Sequence, residues 1–433
     1  MRTRWLVLAL VFALMLGTVG VSLAQDAAPA ITPVACDEPG ELTMWVWDEN
    51  WATIIGEAIN EWTTDYCPGA TVDLQVQPWA NYWDLLRTNV AGGDMPDVFN
   101  MSQTNVGFYQ ENEALLDLQP YLDAAGIDTS VWGSGMIDPY RSGPDGDLYA
   151  LPVNWDTIAV YYNKDLFDAA GLDYPTADWT WDDFAADAEA LTDAAAGVYG
   201  AAAYSEYQAG WTNWVAATGV EPVIASDHTT CTLQDAGSIE GLTFLKGLLD
   251  AGYMPTISDL GGSSADDSFN AWLAGRVAMV TGGSWKLPAA LESADFNWDV
   301  VQLPRNPETG RSRSIVHSVG YVGAASTDTP DLAANLIIFL GSDAGQRYFA
   351  EAGGVAPAAP SQQQTWIDAF GTDDVNIQTF VDALQDSQGV TVFDEVWNIG
   401  NTELPVNIFD LGMSVEEATA LGCEAVDAAV AGM

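Results

Sequence analysis

Residues 148–167 read Leu-Tyr-Ala-Leu-Pro-Val-Asn-Trp-Asp-Thr-Ile-Ala-Val-Tyr-Tyr-Asn-Lys-Asp-Leu-Phe. Pro152 breaks an extended segment, and Asn154, Trp155 and Asp156 make a short polar patch. A buried strand then runs into Tyr-Asn-Lys-Asp at 162–165. Outward from this stretch, strand and helix patterns alternate. Leu-Thr-Met-Trp-Val-Trp (42–47) is a strand pattern, and residues 54–63 carry apolar side chains at helical spacing. The turn Cys67-Pro68-Gly69-Ala70 leads into a strand over 71–76. A helix over 81–90, a breaker over 92–96 and a strand start at 97–99 continue the series, which predicts a mostly parallel sheet covered by helices.

The second half is read the same way. Thr180 is placed to cap a helix over 181–192, and an amphipathic pattern over 238–251 stops at Gly252. A helix over 268–274 ends at Gly275, before a strand over 276–281 and the run Gly-Gly-Ser-Trp (282–285). Residues 300–304 are extended, 304–313 form a surface loop, and 331–340 and 344–350 are helical. Ser414 opens the last helix with Glu417 in capping-box position.

The chain has 433 residues, 48% hydrophobic and 17% charged, enough for two domains with full cores. Arg2 and Arg4, the apolar run 5–16 and Ser22-Leu23-Ala24 read as a signal peptide over 1–24, with residues 25–40, rich in Ala and Pro, as a flexible leader. Gln25 stands where a lipoprotein would carry cysteine, so a soluble periplasmic or exported protein is expected. Twelve basic against 61 acidic residues give a net charge of −49, which repels phosphate backbones and argues against a nucleic-acid partner.

Four cysteines, none in Cys-x-x-Cys spacing, favour disulfides over metal or redox chemistry. Three pairings are open. If the strands near 42–47 and 71–76 are parallel neighbours, Cys36 and Cys67 lie at adjacent strand starts, which leaves Cys231 to Cys423. In the chain-entropy model, closing the longer loop contributes about 4 to 5 kcal/mol.

Several motifs together resemble family 1 extracellular solute-binding proteins, the group that includes maltose-binding proteins. They are Tyr66–Val72, Ala91–Val98, Tyr162–Asp165, Phe269–Met279 with Gly-Gly-Ser-Trp after it, Val301–Pro304 and Met413–Ala418. The resemblance covers almost the whole chain after residue 24, departing from the common members in its few lysines and its missing lipid-attachment cysteine. It implies an α/β, two-lobe type II periplasmic binding fold with a hinge and an interlobe cleft. One lobe would comprise 41–153 and 304–342 and the other 154–303 and 343–433, with crossings near 153, 303 and 342. It further implies the binding component of an ABC importer, a monomer as suits a hinged carrier, that delivers a small ligand to permease subunits without catalysis or cofactor.

Eighteen tryptophans exceed what cores of this size require. Those in loops after strands, Trp47, Trp51, Trp155, Trp211, Trp285 and Trp397, offer flat faces to the C–H surface of a sugar, with ordinary packing as the competing role. Trp179 and Trp181 are assigned to packing. Asp48, Asn50, Gln103, Asn154, Asp156 and Tyr207 are the candidate partners for hydroxyl groups. Asp156, just past the crossing, matches a position where the family often places a ligand-binding carboxylate. Asp97 is expected to fix its own turn, and His317 to line the cleft or pack. A polyamine carrier is the main alternative, since aromatic boxes with carboxylates also hold ammonium groups. An exported glycoside hydrolase ranks lower. Two isolated histidines and four pairable cysteines argue against a metal-dependent hydrolase.

Overall fold

A computed structural model describes residues 31–36, 38–142, 146–204, 206–225, 229–262, 264–372, 374–389 and 394–432. The proposed signal peptide and residues 25–30 of the leader lie outside them. Two sheets organise the chain. In the first, the strands run β10-β4-β9-β3-β1-β2, with β11 on the flank of β9; the second runs β6-β7-β5-β8. Their ranges are β1 Glu41–Val46, β2 Thr71–Val76, β3 Val98–Ser102, β4 Ala150–Asp156, β5 Ile158–Asn163, β6 Tyr199–Ala202, β7 Val277–Gly283, β8 Trp298–Gln302, β9 Ser314–Gly323, β10 Ala356–Pro357 and β11 Ser387–Gly389. The two-lobe α/β architecture is present, one lobe around each sheet.

Alternation along β1 buries Leu42, Met44 and Val46 on one face. Helix α1 (Glu49–Glu61) and helix α2 (Trp79–Gly92) follow β1 and β2, and α2 closes on Gly93 at φ 71°, a left-handed position that suits glycine. Asp97 fixes its turn as expected: its carboxylate accepts from Thr43 N (2.8 Å), Thr43 Oγ1 (2.9 Å) and Thr327 Oγ1 (2.6 Å). Thr180 caps the Trp181–Leu191 helix in a full capping box.

The sheets are mixed rather than mostly parallel. β1 is parallel to β2 and β3, but β9 runs antiparallel between β3 and β4, and β5 is antiparallel to both β7 and β8. Strands that return from the other lobe re-enter from the opposite end, which reverses their direction.

The chain crosses first at Thr157, between β4 in one sheet and β5 in the other, four residues beyond the expected 153. Thr157 Oγ1 donates to Phe380 O (2.8 Å), and Ile158 N donates to Ser314 Oγ (2.8 Å). The second crossing lies between β8 and β9. The third is not at 342. Ser342 caps a new helix, Asp343–Ala352, that folds back on α1, with Glu61 Oε2 accepting from Arg347 Nη2 (2.5 Å) and Tyr348 Oη (2.6 Å). The Gln363–Ala369 helix packs beside it, so the chain leaves this lobe only near Asn376, whose N–H donates to Asp299 Oδ1 in β8 (2.7 Å).

From Ile31 onward the leader is pinned rather than flexible. Ile31 is buried and its N–H donates to Asp343 Oδ1 (3.1 Å), and Asn335 Nδ2 donates to Val34 O (3.0 Å). Both disulfides form in the expected pairing. Cys36–Cys67 spans 31 residues with Cα atoms 5.1 Å apart, and Cys231–Cys423 spans 192 with Cα atoms 5.5 Å apart.

Candidate functional site

The C-terminal ends of β1 and β3, the start of α2 and the first half of β9 form the rim of the first lobe. This is the edge where open α/β sheets bind ligands. Facing it across a cleft of about 300 Å³ are Gln208, Trp397 and Asn398 of the second lobe; Trp83, Arg87, Ser102, Thr104, Asn105 and His317 line the first-lobe side. Trp83 and Arg87 are one helical turn apart on α2, so both side chains fall on one face. Behind Trp397 lies the buried ring of Tyr207, 4.8 Å between centroids.

A string of hydrogen bonds fixes the polar floor. Ser102 Oγ lies 2.8 Å from Thr104 Oγ1 and 3.0 Å from His317 Nε2, and Thr104 Oγ1 donates to Asn105 Oδ1 (3.2 Å). His317 pairs with Asp156 across β9 and β4, so the two side chains leave the same face of the sheet. Asp156 accepts from Ser284 Oγ of the second lobe (2.9 Å). Burial acts on both titratable groups toward their neutral forms. It pushes the Asp156 carboxyl up to about 7, against the opposing pull of the Ser284 hydrogen bond, and the His317 imidazole down to about 4.

These shifts have opposite consequences for stability. Folded Asp156 keeps its proton to about pH 7 while the unfolded carboxyl loses it near 3.8, so its contribution is full below about 4 and is lost as pH rises to 7. Folded His317 stays neutral down to about 4 while the unfolded ring protonates near 6.5, so its contribution is lost as pH falls through that range. Between about pH 4 and 6.5 each produces a slope of about 1.4 kcal/mol per pH unit, and the two cancel. Asp156→Asn should therefore unmask a rising pH–stability profile relative to wild type, and His317→Asn a falling one. Flat difference profiles in thermal melts from pH 4.5 to 6.5 would contradict this.

The structure separates the expected site residues into groups. Trp397 lines the cleft, with Asp156 beside its floor and Trp47 adjoining Trp83, 5.8 Å between centroids. Trp285 is half-buried in the turn after β7 and Asn50 is exposed in the first turn of α1; neither lines the cleft. Asp48 caps α1 by accepting from Trp51 N (2.9 Å).

Four expectations meet a buried, committed side chain instead. Trp155 is fully buried against Trp366 and donates to Pro357 O (2.8 Å). Trp211 is fully buried and donates to Gly400 O (2.9 Å). Gln103 is buried, donating to Val316 O (2.9 Å) and accepting from Ser318 N and Oγ (3.1 and 3.0 Å). Tyr207 is buried behind Trp397, its N–H bonded to Asn401 Oδ1 (3.0 Å). Asn154 is also buried, and neither of its amide atoms has a hydrogen-bond partner among the described residues.

Sequence reasoning missed Trp83, Arg87, Ser102, Thr104, Asn105, Gln208 and Asn398. Strand parity carried part of the signal: Ser102 shares the cleft face with His317, and Gln103 does not. A larger hollow of about 790 Å³ lies between the leader and the Pro330–Gly341 helix, lined by residues such as Glu38, Tyr121 and Asp331. It touches one lobe only, by the segment that leads into β1, away from the cleft.

No helix among the described residues is long and apolar enough to cross a membrane. A family model for the bacterial extracellular solute-binding proteins matches residues 57–379. The maltodextrin-binding protein MdxE of Bacillus subtilis (strain 168) is 24% identical over 301 residues, 66% of this chain and 66% of that protein. Other curated relatives align over about half of their length, down to 52%. Among solved structures, the substrate-binding protein Lmo0181 of Listeria monocytogenes, in complex with cycloalternan, superposes with a TM-score of 0.78 at 24% identity. It covers 91% of this chain and 100% of that one. UspC of M. tuberculosis follows at 0.75 and 25%, covering 90% and 100%.

Proposed function

The chain belongs to the bacterial extracellular solute-binding protein family, and from that premise we propose that it captures an uncharged saccharide between its lobes for delivery to an ABC importer. The observation that carries this reading is the make-up of the cleft. An indole from each lobe borders it, the remaining walls are amides, hydroxyls, a neutral imidazole and the Arg87 guanidinium, and no carboxylate lines it among the described residues. A pyranose presents apolar C–H faces to aromatic rings and hydroxyls to donors and acceptors, and this lining answers both. Burying on the order of 100 Å² of ring face stabilises the complex by about 2.5 kcal/mol per platform.

A polyamine needs carboxylates beside its ammonium groups, and this cleft offers the Arg87 guanidinium instead. Glycoside hydrolysis needs a carboxyl pair across the scissile bond, so the same lining supports a binder rather than an enzyme. The names of MdxE, a maltodextrin-binding protein, and of the Lmo0181 complex with cycloalternan point to the same ligand class. Ligand touching both lobes shifts the population toward a closed form, which the permease recognises. The protein acts as an exported monomer, a reading supported by the leader-like run over 1–24.

Thermal-shift screening tests the ligand class. At a hundred times its Kd, a ligand adds about 2.7 kcal/mol of stability. Saccharides should raise the melting temperature and spermidine should not; the reverse pattern would favour the polyamine carrier.

A further inference from the structure

Two of the three non-glycine residues with positive φ among the described residues, Glu206 (56°) and Val223 (72°), lie beside the second-lobe wall of the cleft. For a β-branched residue this backbone is costly, and it persists only where the surroundings over-determine it. Val223 is the centre of a tight turn in which Ile224 N donates to Pro222 O (3.0 Å), the rare positive-φ form of a three-residue turn. Its side chain is fully buried. Glu206 stands directly before Tyr207, the ring behind Trp397, and Gln208, which lines the cleft.

The wall rests on what Val223 touches. Trp397 and Asn398 end a helix over Asp394–Asn398 that runs into a π-helical turn over Ile399–Glu403, a form frequent at functional sites. Within this turn Gly400 O accepts from Trp211 Nε1 (2.9 Å), and Asn401 Oδ1 accepts from Tyr207 N. Gly400 lets two side chains close on its backbone: a Cβ there would stand 2.7 Å from Tyr207 Cδ2 and 3.1 Å from Val223 Cγ2. Thr232 N donates to Val223 O (3.0 Å), and Ile224 pairs with Cys231 across the same hairpin. Cys231 is bonded to Cys423 on the Val415–Gly432 helix, which packs against both the Asp394–Asn398 helix and the π-helical turn. The disulfide thus joins the two elements on which the wall rests.

We propose that Val223 and the Cys231–Cys423 bridge are positioning elements of the ligand site: they hold Gly400 and Tyr207 and, through them, set where Trp397 and Asn398 stand in the cleft. A wall held in this way is preorganised, so a ligand meets it without first ordering it. Without the bridge, Val223 is free to return to negative φ, Gly400 and Tyr207 lose their stop, and Trp397 takes other positions. The Cys36–Cys67 bridge, at the strand starts of the first lobe, has no such path to the cleft.

Two readouts test this, at a temperature where melting curves show each variant folded. In calorimetric titration with a saccharide that stabilises wild type, which rests on the saccharide reading of the cleft, Cys231→Ser/Cys423→Ser and Gly400→Ala should each bind at least about tenfold more weakly. Cys36→Ser/Cys67→Ser should stay within about twofold, as should Gly247→Ala, a second-lobe glycine with open space around it. In fluorine NMR of protein carrying fluorinated tryptophan, without ligand, the Trp397 resonance, assigned by its loss in Trp397→Phe, should shift or split in both weakened variants. That of Trp272, buried elsewhere in the second lobe, should stay in place. If the bridge variant does not fold, Gly400→Ala decides alone. Wild-type affinity in the folded variants, or an unmoved Trp397 resonance, overturns the proposal and leaves the bridge a stabiliser only. If no saccharide binds wild type, the cleft reading falls, and the Trp397 resonance still decides the positioning.

Discussion

Replacing Cys231 and Cys423 together by serine should cost about 5 kcal/mol of stability, the largest effect of any substitution considered for this chain. The bridge closes a separation of 192 residues, tying the segment after Ile224 to the Val415–Gly432 helix. In the chain-entropy model its removal releases more unfolded-state freedom than removal of Cys36–Cys67, whose separation of 31 corresponds to about 4 kcal/mol. At about 2–4 °C per kcal/mol for a lobe of this size, the second lobe should melt roughly 10–20 °C lower. Calorimetry of the two double variants checks the order. A smaller loss from Cys231→Ser/Cys423→Ser than from Cys36→Ser/Cys67→Ser would show that the long bridge does not constrain the unfolded chain as described.

The second large effect concerns the ligand. Trp83→Ala or Trp397→Ala should each weaken saccharide binding by about 2.5 kcal/mol, roughly 70-fold, because each removes one aromatic wall of the cleft. Trp285→Ala should stay within about threefold of wild type, since Trp285 does not line the cleft. The reverse ranking would return the site to the turn after β7. Trp155→Ala and Trp211→Ala are unsuitable probes, since both rings are fully buried and their loss would act through cavity formation in the core.

Much of this architecture is legible in the chain. The strand over 71–76, the Thr180 cap, the Asp97 turn and the disulfide partners follow from local chemistry: turn residues, capping side chains and the adjacency of parallel strand starts. What escaped depends on register and on long-range return. β9 carries His317, Ser318 and Gly320 in its middle and does not read as a buried strand, although it binds β3 and β4 along its length. Without it the mixed sheet cannot be inferred.

The site errors on strands share one cause. Side chains alternate along a strand, so a polar motif contributes every second residue to a cleft and the remainder to the core. Asn154-Trp155-Asp156 places Asp156 opposite His317 and turns Trp155 inward; Ser102-Gln103-Thr104 presents its hydroxyls and turns Gln103 inward. Trp397 was expected at the cleft, but Trp83 lies on the helix read over 81–90, which no motif marked as functional, and only the meeting of two lobes brings the two rings to one cleft. The third crossing, implied near 342 by the family resemblance, comes later because the Ser342 hydroxyl accepts from Gly345 N and starts the helix that keeps the chain in the same lobe.

Small-angle X-ray scattering of the intact protein, with and without a saccharide that stabilises it, most directly tests whether the cleft between the lobes is the binding site. Saccharide should reduce the radius of gyration of wild type and leave that of the Trp83→Ala/Trp397→Ala variant unchanged at the same concentration. An unchanged curve for wild type at saturating saccharide, or equal compaction of both proteins, would contradict the account.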